Sequence, residues 1–499
     1  MSDSPRITNA LFTSGLQCAK RLYLDYHFAK KSPQPGETQA MIAEVGAELV
    51  ELASSAFPKG VAIDPQDRQA VATTEKILRE KKPQVVFHGR FRYQDVEIGS
   101  DIIISSGDGS LDLFEVKAGV TIKPRHILDL ALQVWVLEKL GYKVRRTSII
   151  HMNRRYVHAG GKHPVHELFK NVDATARVRR HIGKIEGMLN SFRQTLADES
   201  SLELPTGPWC RAPLNCLHMR RCFGEGPEHP LAELPNLTRS QVEALHQEAI
   251  EDLSQIAIDR EGLSPMQRRV IKSMQVDDLV VEPRVFAELA ECDYPMHFVW
   301  FENLLEVLPR FPRTRPWQKV PFAWHRILLK GPGTAPEHAS FIAEGKEDPR
   351  PRFVHTLLDA TIGAHTVFFF PHDVEDRLRE LVEDLSGEDK ARARALLNAP
   401  FLEMQALLRN GAYHPAFRGE FDLPTIHRAL VPAATYDDLE LDTADAVGAA
   451  LRKIVNTRTR ATTRTKLQEG VAAWMRRQAE GMHGIWQRLQ QERKKLVRV

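Results

Sequence analysis

Residues 97–119 read EIGSDIIISSGDGSLDLFEVKAG, and this stretch decides what kind of fold the chain takes. Gly107, Asp108 and Gly109 supply a sharp reversal, while the branched and large apolar residues on either side favour extended strands. Asp101 lies in the first strand candidate, and Glu115 and Lys117 form E-x-K in the second. Residues two apart on a strand share a face, so Glu115 and Lys117 point together, and the hairpin sets the Asp101 and Glu115 carboxylates on one side. Two such carboxylates can hold Mg²⁺, a hard cation that accepts a few carboxylate oxygens together with water and phosphate. A metal held there activates water, and the lysine neutralises charge developing on a phosphodiester. An exposed hairpin of alternating charges also contains E-x-K. The apolar surroundings of both acids and Gln133 on the following helix favour the site.

Working outward, residues 38–56 carry apolar side chains at helical spacing, and a second helix is expected over 67–81. Residues 126–140 form another amphipathic helix that stops at Gly141, and 144–158 supply a further strand. The order helix, helix, strand, strand, helix, strand implies an α/β fold with a mixed sheet flanked by helices. A helical stretch over 172–198 leads into a cysteine-rich loop, and Pro and Gly cluster after it, which sets a first domain at 1–225. Short helices over 226–285 read as a connector. A second α/β domain is expected at 286–432, beginning with the strand HFVWFENL, and a basic helical tail at 433–499.

The chain has 499 residues, too many for one hydrophobic core, and its 42% hydrophobic and 27% charged residues are those of a folded protein rather than a disordered one. It contains no apolar run long enough to span a membrane, and its start lacks the layout of a secretory signal, so the expectation is a cytoplasmic protein without a membrane partner. The net charge of +3 neither requires nor excludes a polyanion. Local charge is more informative: residues 451–499 hold thirteen Lys and Arg against three acids. Neither G-x-G-x-x-G nor a phosphate-binding G-x-x-x-x-G-K-S/T loop occurs, which argues against dinucleotide chemistry and against an ATP-driven motor within this chain.

Together, Asp101, Glu115, Lys117 and Gln133 resemble the motifs of the PD-(D/E)XK nuclease superfamily, in particular its RecB-like branch with an iron–sulfur cluster. The resemblance implies that Asp101 and Glu115 bind Mg²⁺ or Mn²⁺, that Lys117 assists catalysis, and that Gln133 is the glutamine of a Q-x-x-x-Y motif whose tyrosine position reads Leu137 here, with Trp135 nearby. In that family an upstream acid or histidine often completes the metal sphere. Glu44 and Glu48, one turn apart, can fill this place or be solvated helix charges. Glu48 is the assigned ligand, and His88 is a further candidate.

Cys18 stands alone near the N-terminus, whereas Cys210, Cys216 and Cys222 repeat at equal spacing in PWCRAPLNCLHMRRCFG. This layout resembles the cluster-stapled nucleases of the CRISPR adaptation and helicase–nuclease families. Four thiolates suit a [4Fe-4S] cluster or zinc, and the wide spacing favours the cluster, which would close a ring of about two hundred residues. Cys292 has no place in this scheme.

The second half resembles an uncharacterised domain found behind such nucleases and related to DEDD-type, RNase H-like exonucleases. Where that resemblance expects aspartate in the first strand stands Trp300, with Glu302 retained; Pro371 replaces an asparagine, and Leu402 and Glu403 stand near a further motif that is lost. Too few carboxylates survive for a two-metal exonuclease. The sequence therefore implies a metal-dependent DNA nuclease for repair, recombination or defence against foreign DNA. It would act on single strands or duplex ends, alongside a helicase or other partner encoded separately, and the basic tail would track a phosphate backbone or form a solvated hairpin. The competing class is a noncatalytic nucleic-acid-binding scaffold.

Overall fold

The computed structural model describes residues 6–29, 37–57, 59–80, 82–212, 215–224, 226–370, 374–383, 385–431 and 433–496. The chain divides into two compact units, Met1–Glu225 with Val307–Gln318, and Gly226–Glu306 with Lys319–Val499. Both are mixed α/β structures, as the sequence implies.

The first unit contains strands β1 (Ile7–Thr8), β2 (Val61–Ala62), β3 (Gln84–Tyr93), β4 (Val96–Ser105), β5 (Ser110–Lys117), β6 (Lys143–Met152) and β7 (Phe169–Asp173). Its helices are α1 (Asn9–Gln17), α2 (Ala19–His27), α3 (Glu37–Ser54), α4 (Ala70–Leu78), α5 (Pro124–Lys139), α6 (Val165–Leu168), α7 (Thr175–Ala197) and α8 (Met219–Gly224). Among the described residues these strands form one seven-stranded sheet in the order β2-β3-β4-β5-β6-β7, with β1 added beside β4. β3, β4 and β5 form an antiparallel meander, β6 runs parallel to β5, and α5 makes the crossover between them. Pro124 presets the first turn of α5, and Gly141, at φ +90°, lets the chain leave it in a conformation that L side chains avoid.

Alternation along β5 assigns its side chains to two layers. Leu111 and Leu113 join α5 and α7 in one core, while Phe114 and Val116 pack with Leu49, Val50 and Ala53 of α3 in the other. Covered on both faces, β5 is buried along almost its whole length. The ladder between β4 and β5 spans Ile102–Ser105 of β4, and β1 pairs with Val96 and Glu97. Residues 98–101 thus lie between two strand partners on that edge of β4. This gap positions the site.

The second unit begins with α9 (Arg239–Gln247), α10 (Pro265–Val276), β8 (Val280–Val281) and α11 (Pro283–Ala290). Its main sheet uses β9 (Met296–Leu305), β10 (Lys319–Leu329), β11 (Glu337–Ile342), β12 (Thr366–Phe369) and β13 (Phe401–Glu403), interleaved with α12 (Arg350–Ala360), α13 (Val374–Glu383) and α14 (Gly387–Leu397). α15 (Met404–Gly411), β14 (Ala412–Tyr413), α16 (Leu423–Leu430), α17 (Ala444–Val455) and α18 (Ala461–Leu496) follow. The order is β11-β10-β9-β12-β13, with β9 to β11 antiparallel and β9, β12 and β13 parallel. α18 is a core helix rather than a solvated one: Val471, Trp474, Met475, Met482, Ile485 and Leu489 are buried at helical spacing. Several of its cations are paired within the unit, including Arg477 with Asp438 and Lys466 with Glu440. No described helix is long and apolar enough to cross a membrane.

Candidate active site

The gap beside β4 opens into a cavity of about 340 Å³ lined by Asp101, Glu115, Lys117 and Asp129, with Asn9, His88 and Arg90 among its other walls. Side chains satisfy the backbone that the interrupted ladder leaves unpaired. The Gly99 N–H donates to Asn9 Oδ1 at 2.9 Å, and the Val116 N–H donates to Asp101 Oδ2 at 2.8 Å. His88, opposite Asp101 across the β3–β4 ladder, has a left-handed φ of +56°. The core-facing positions of β4 change parity there, from Ile103 to Ile98 and Val96, so the regular pleat breaks at the acid.

A continuous chain of hydrogen bonds fixes the rest of the site. Lys117 Nζ donates to Glu115 Oε1 at 2.7 Å and to Asp129 Oδ2 at 3.1 Å. Glu115 Oε2 accepts from Gln133 Nε2 at 3.0 Å, and Gln133 Oε1 accepts from Ser100 Oγ at 2.7 Å. Asp129 Oδ1 accepts from Asn9 Nδ2 at 2.8 Å, which returns the chain to Gly99. Every acid is therefore held by at least one donor before any ligand enters.

Burial pushes Glu115 up to about 8, and the Asp101 carboxylate adds to the rise. Asp101 is raised for the same first reason, burial, against the opposing pull of Lys117. Burial works against the Lys117 ammonium, but Glu115, then Asp129 and Asp101, more than offset this and hold its pKa above the ordinary lysine value. Three acids thus stand around one lysine, a donor set that fits a hard divalent cation at Asp101 and Glu115. Among the described residues no three His, Cys, Asp or Glu side chains are already arranged as a metal cage. The fit is to a two-carboxylate site whose other positions go to water or phosphate.

The structure brings together Asp101, Glu115, Lys117 and Gln133, and sets His88 on the wall. Glu44 and Glu48 are exposed on α3, whose buried side packs on the face of β5 opposite Glu115, and neither lines the cavity. Asp129 and Asn9 are members of the site that the sequence motifs do not point to. Asp129 precedes Gln133 by one helical turn, a spacing that places both on one face of α5 and is the available signal. Nothing local marks Asn9. Leu137, at the tyrosine position, is fully buried in the core.

The cysteines gather at the junction of three helices. Cys18 is the single residue between α1 and α2, while Cys210, Cys216 and Cys222 lie on one winding segment in which the Cys216 N–H donates to Cys210 O at 2.8 Å. Burial pushes the Cys210 thiol up to about 12, and Cys18, Cys216 and Cys222 each add to the rise. A frame of polar contacts joins the segments: His218 Nε2 with Asp25 Oδ1 at 2.7 Å, and Gln17 Nε2 donating to Trp209 O at 2.7 Å. All four thiols are free, and their donor chemistry suits a four-thiolate centre, although among the described residues no three of them are already arranged to hold a metal. Cys292 belongs to the second unit, near Glu288 O at 3.6 Å.

In the second unit, Glu302 Oε1 accepts from Trp300 Nε1 and from Trp474 Nε1, each at 2.7 Å. Burial pushes this carboxyl up to about 7 against the two indole donors. Glu403 ends β13, Leu402 lies within it, and Pro371 falls outside the described residues. The model of a domain of unknown function, DUF2779, matches residues 297–422, which span the main sheet of the second unit. No curated protein matches the chain.

Proposed function

We propose that the chain is a metal-dependent DNA nuclease that hydrolyses phosphodiester bonds in the cavity of its first unit. The observation that carries this reading is the pairing of the buried Glu115 and part-buried Asp101 carboxylates with Lys117 at an interruption of the β4–β5 ladder. Asp101 and Glu115 would hold Mg²⁺ or Mn²⁺. Such an ion, when bound, stabilises charge on a phosphate oxygen and makes water more acidic. Lys117 keeps its ammonium charged beside both acids, where it neutralises charge developing at the reacting phosphate. Gln133 and Asp129 orient Glu115 and Lys117.

Cys18, Cys210, Cys216 and Cys222 are proposed to hold a [4Fe-4S] cluster whose role is to close the first unit into a ring rather than to react. The strand arrangement of the second unit, three antiparallel strands continued by two parallel ones, supports an RNase H-like module. Glu302, capped by two tryptophans, supports one without hydrolytic activity. The proposed substrate is DNA, single-stranded or at duplex ends, with any helicase supplied by another protein. The test is cleavage of end-labelled single- and double-stranded DNA in Mg²⁺ or Mn²⁺. Activity in the wild type and its loss in Asp101→Ala and Lys117→Ala support the reading, whereas folded wild type inert on both substrates favours the noncatalytic scaffold.

A further inference from the structure

Two loops of the first unit carry an unusual concentration of positive charge. Residues 151–163, HMNRRYVHAGGKH, and 307–318, VLPRFPRTRPWQ, together contain six Lys and Arg and no Asp or Glu. They are far apart in sequence yet joined in the fold. The His158 N–H donates to Thr314 O at 2.9 Å, and the Arg313 N–H donates to His158 O at 2.7 Å. Arg154, Arg155, Lys162 and Arg315 are exposed, and none of their charged groups is paired with a carboxylate among the described residues. Some other surface cations of the first unit are held by acids, as the pairs Arg179–Glu138 and Arg193–Asp95 show.

The loops are also anchored to the strand end that carries the catalytic lysine. His151 is the register partner of Lys117, and the Met152 N–H donates to Gly119 O at 3.1 Å. Trp317 Nε1 donates to Ala118 O at 2.7 Å, so the second loop is tied to the residue directly after Lys117. The tyrosine–histidine packing beneath, with Tyr156 Oη 3.2 Å from Nδ1 of both His158 and His163, stiffens the first loop.

We propose that these paired loops are the track for the nucleic-acid backbone, with Arg154, Arg155, Lys162 and Arg315 holding phosphates next to the one being cut. Unpaired cations without intervening acids cost self-repulsion unless a polyanion covers them. Their attachment at Ala118 and Gly119 sets them at the end of β5 that follows Lys117. The assignment rests on the nuclease reading for the chemistry, but the surface itself is testable without it.

The experiment uses the full chain and the triple variant Arg154→Gln, Arg155→Gln, Arg315→Gln. A control removes three exposed cations of α7, Arg177→Gln, Arg180→Gln and Lys184→Gln. Binding of fluorescent duplex DNA is titrated over a range of salt, and hydrolysis of bis(4-nitrophenyl) phosphate in Mn²⁺ is measured in parallel. The loop triple should flatten the slope of log affinity against log salt by about 0.9 for each phosphate it no longer neutralises. It should raise KM for DNA and leave hydrolysis of the small ester unchanged, because that substrate does not reach the loops. The control should keep the wild-type slope. An unchanged slope in the loop triple, or equal flattening in both triples, overturns the track. If wild type hydrolyses neither substrate yet the loop triple alone flattens the slope, the nuclease reading fails and the track stands.

Discussion

Gln133, wholly buried on α5, donates from Nε2 to Glu115 Oε2 at 3.0 Å and so orients the carboxylate that faces Asp101. Its own carbonyl is held by Ser100, so the amide cannot turn without breaking two buried bonds. Such a residue acts through its neighbour.

Replacing Gln133 with Ala should therefore leave a buried Glu115 oxygen and the Ser100 hydroxyl without partners, at a cost of about 1–3 kcal/mol. Urea unfolding measures this directly. Cleavage should fall less than in Asp101→Ala, because the metal-holding oxygens remain. An unfolding midpoint equal to that of wild type would mean that the bond contributes nothing.

The pH dependence follows from Glu115, whose carboxyl lies near 4.5 when exposed and is raised to about 8 in the fold. Between these values the folded state holds a proton that the unfolded chain has released. Stability of the metal-free protein from this group is thus fully present below 4.5 and falls as pH rises toward 8. A divalent cation competes with that proton, so Mn²⁺ affinity should climb through the same window and level off above it. Calorimetric titration with Mn²⁺ on both sides of pH 8 checks this. Affinity independent of pH would place the ion away from Glu115.

For the cysteines, anaerobically prepared protein should be brown from iron–sulfur absorption, and Cys216→Ala should lose both colour and solubility. Cys292→Ala, in the other unit, should change neither. Colourless protein containing zinc would keep the four-thiolate centre and discard the cluster; equal damage at Cys216 and Cys292 would discard the ligand set.

In the second unit, Trp474→Phe removes one of two donors to the buried Glu302 carboxylate and should lower the thermal midpoint while leaving cleavage intact. Loss of cleavage in that variant with the midpoint unchanged would give Glu302 a chemical role. Deleting α18 is a different operation, since Trp474, Met482 and Leu489 are part of the core, and should unfold the unit.

The parts of this architecture that are legible in the sequence are those set by short-range pattern. The strands around Asp101 and Glu115, the helix bearing Gln133 and the cysteine run all follow from alternation, helical spacing and turn residues. What escapes depends on pairing between distant segments. Asn9 reaches Asp129 across 120 positions, β1 fills an edge of β4, and residues 307–318 join the first unit from within the second. None of these leaves a periodic trace. α18 shows a different difficulty: the thirteen Lys and Arg of residues 451–499 suggest a solvated helix, although Val471, Trp474, Met475 and Met482 mark a buried stripe.

The most direct test of the central claim is the rate of Mn²⁺-dependent cleavage of end-labelled DNA by Glu115→Gln beside wild type. The substitution keeps the shape of the side chain while removing the charge that pairs with Lys117 and would hold the ion. Folded variant protein with cleavage reduced at least about a hundredfold, the scale of losing one preorganised electrostatic group, is the predicted result. Cleavage at the wild-type rate would contradict the account and place the chemistry outside this cavity.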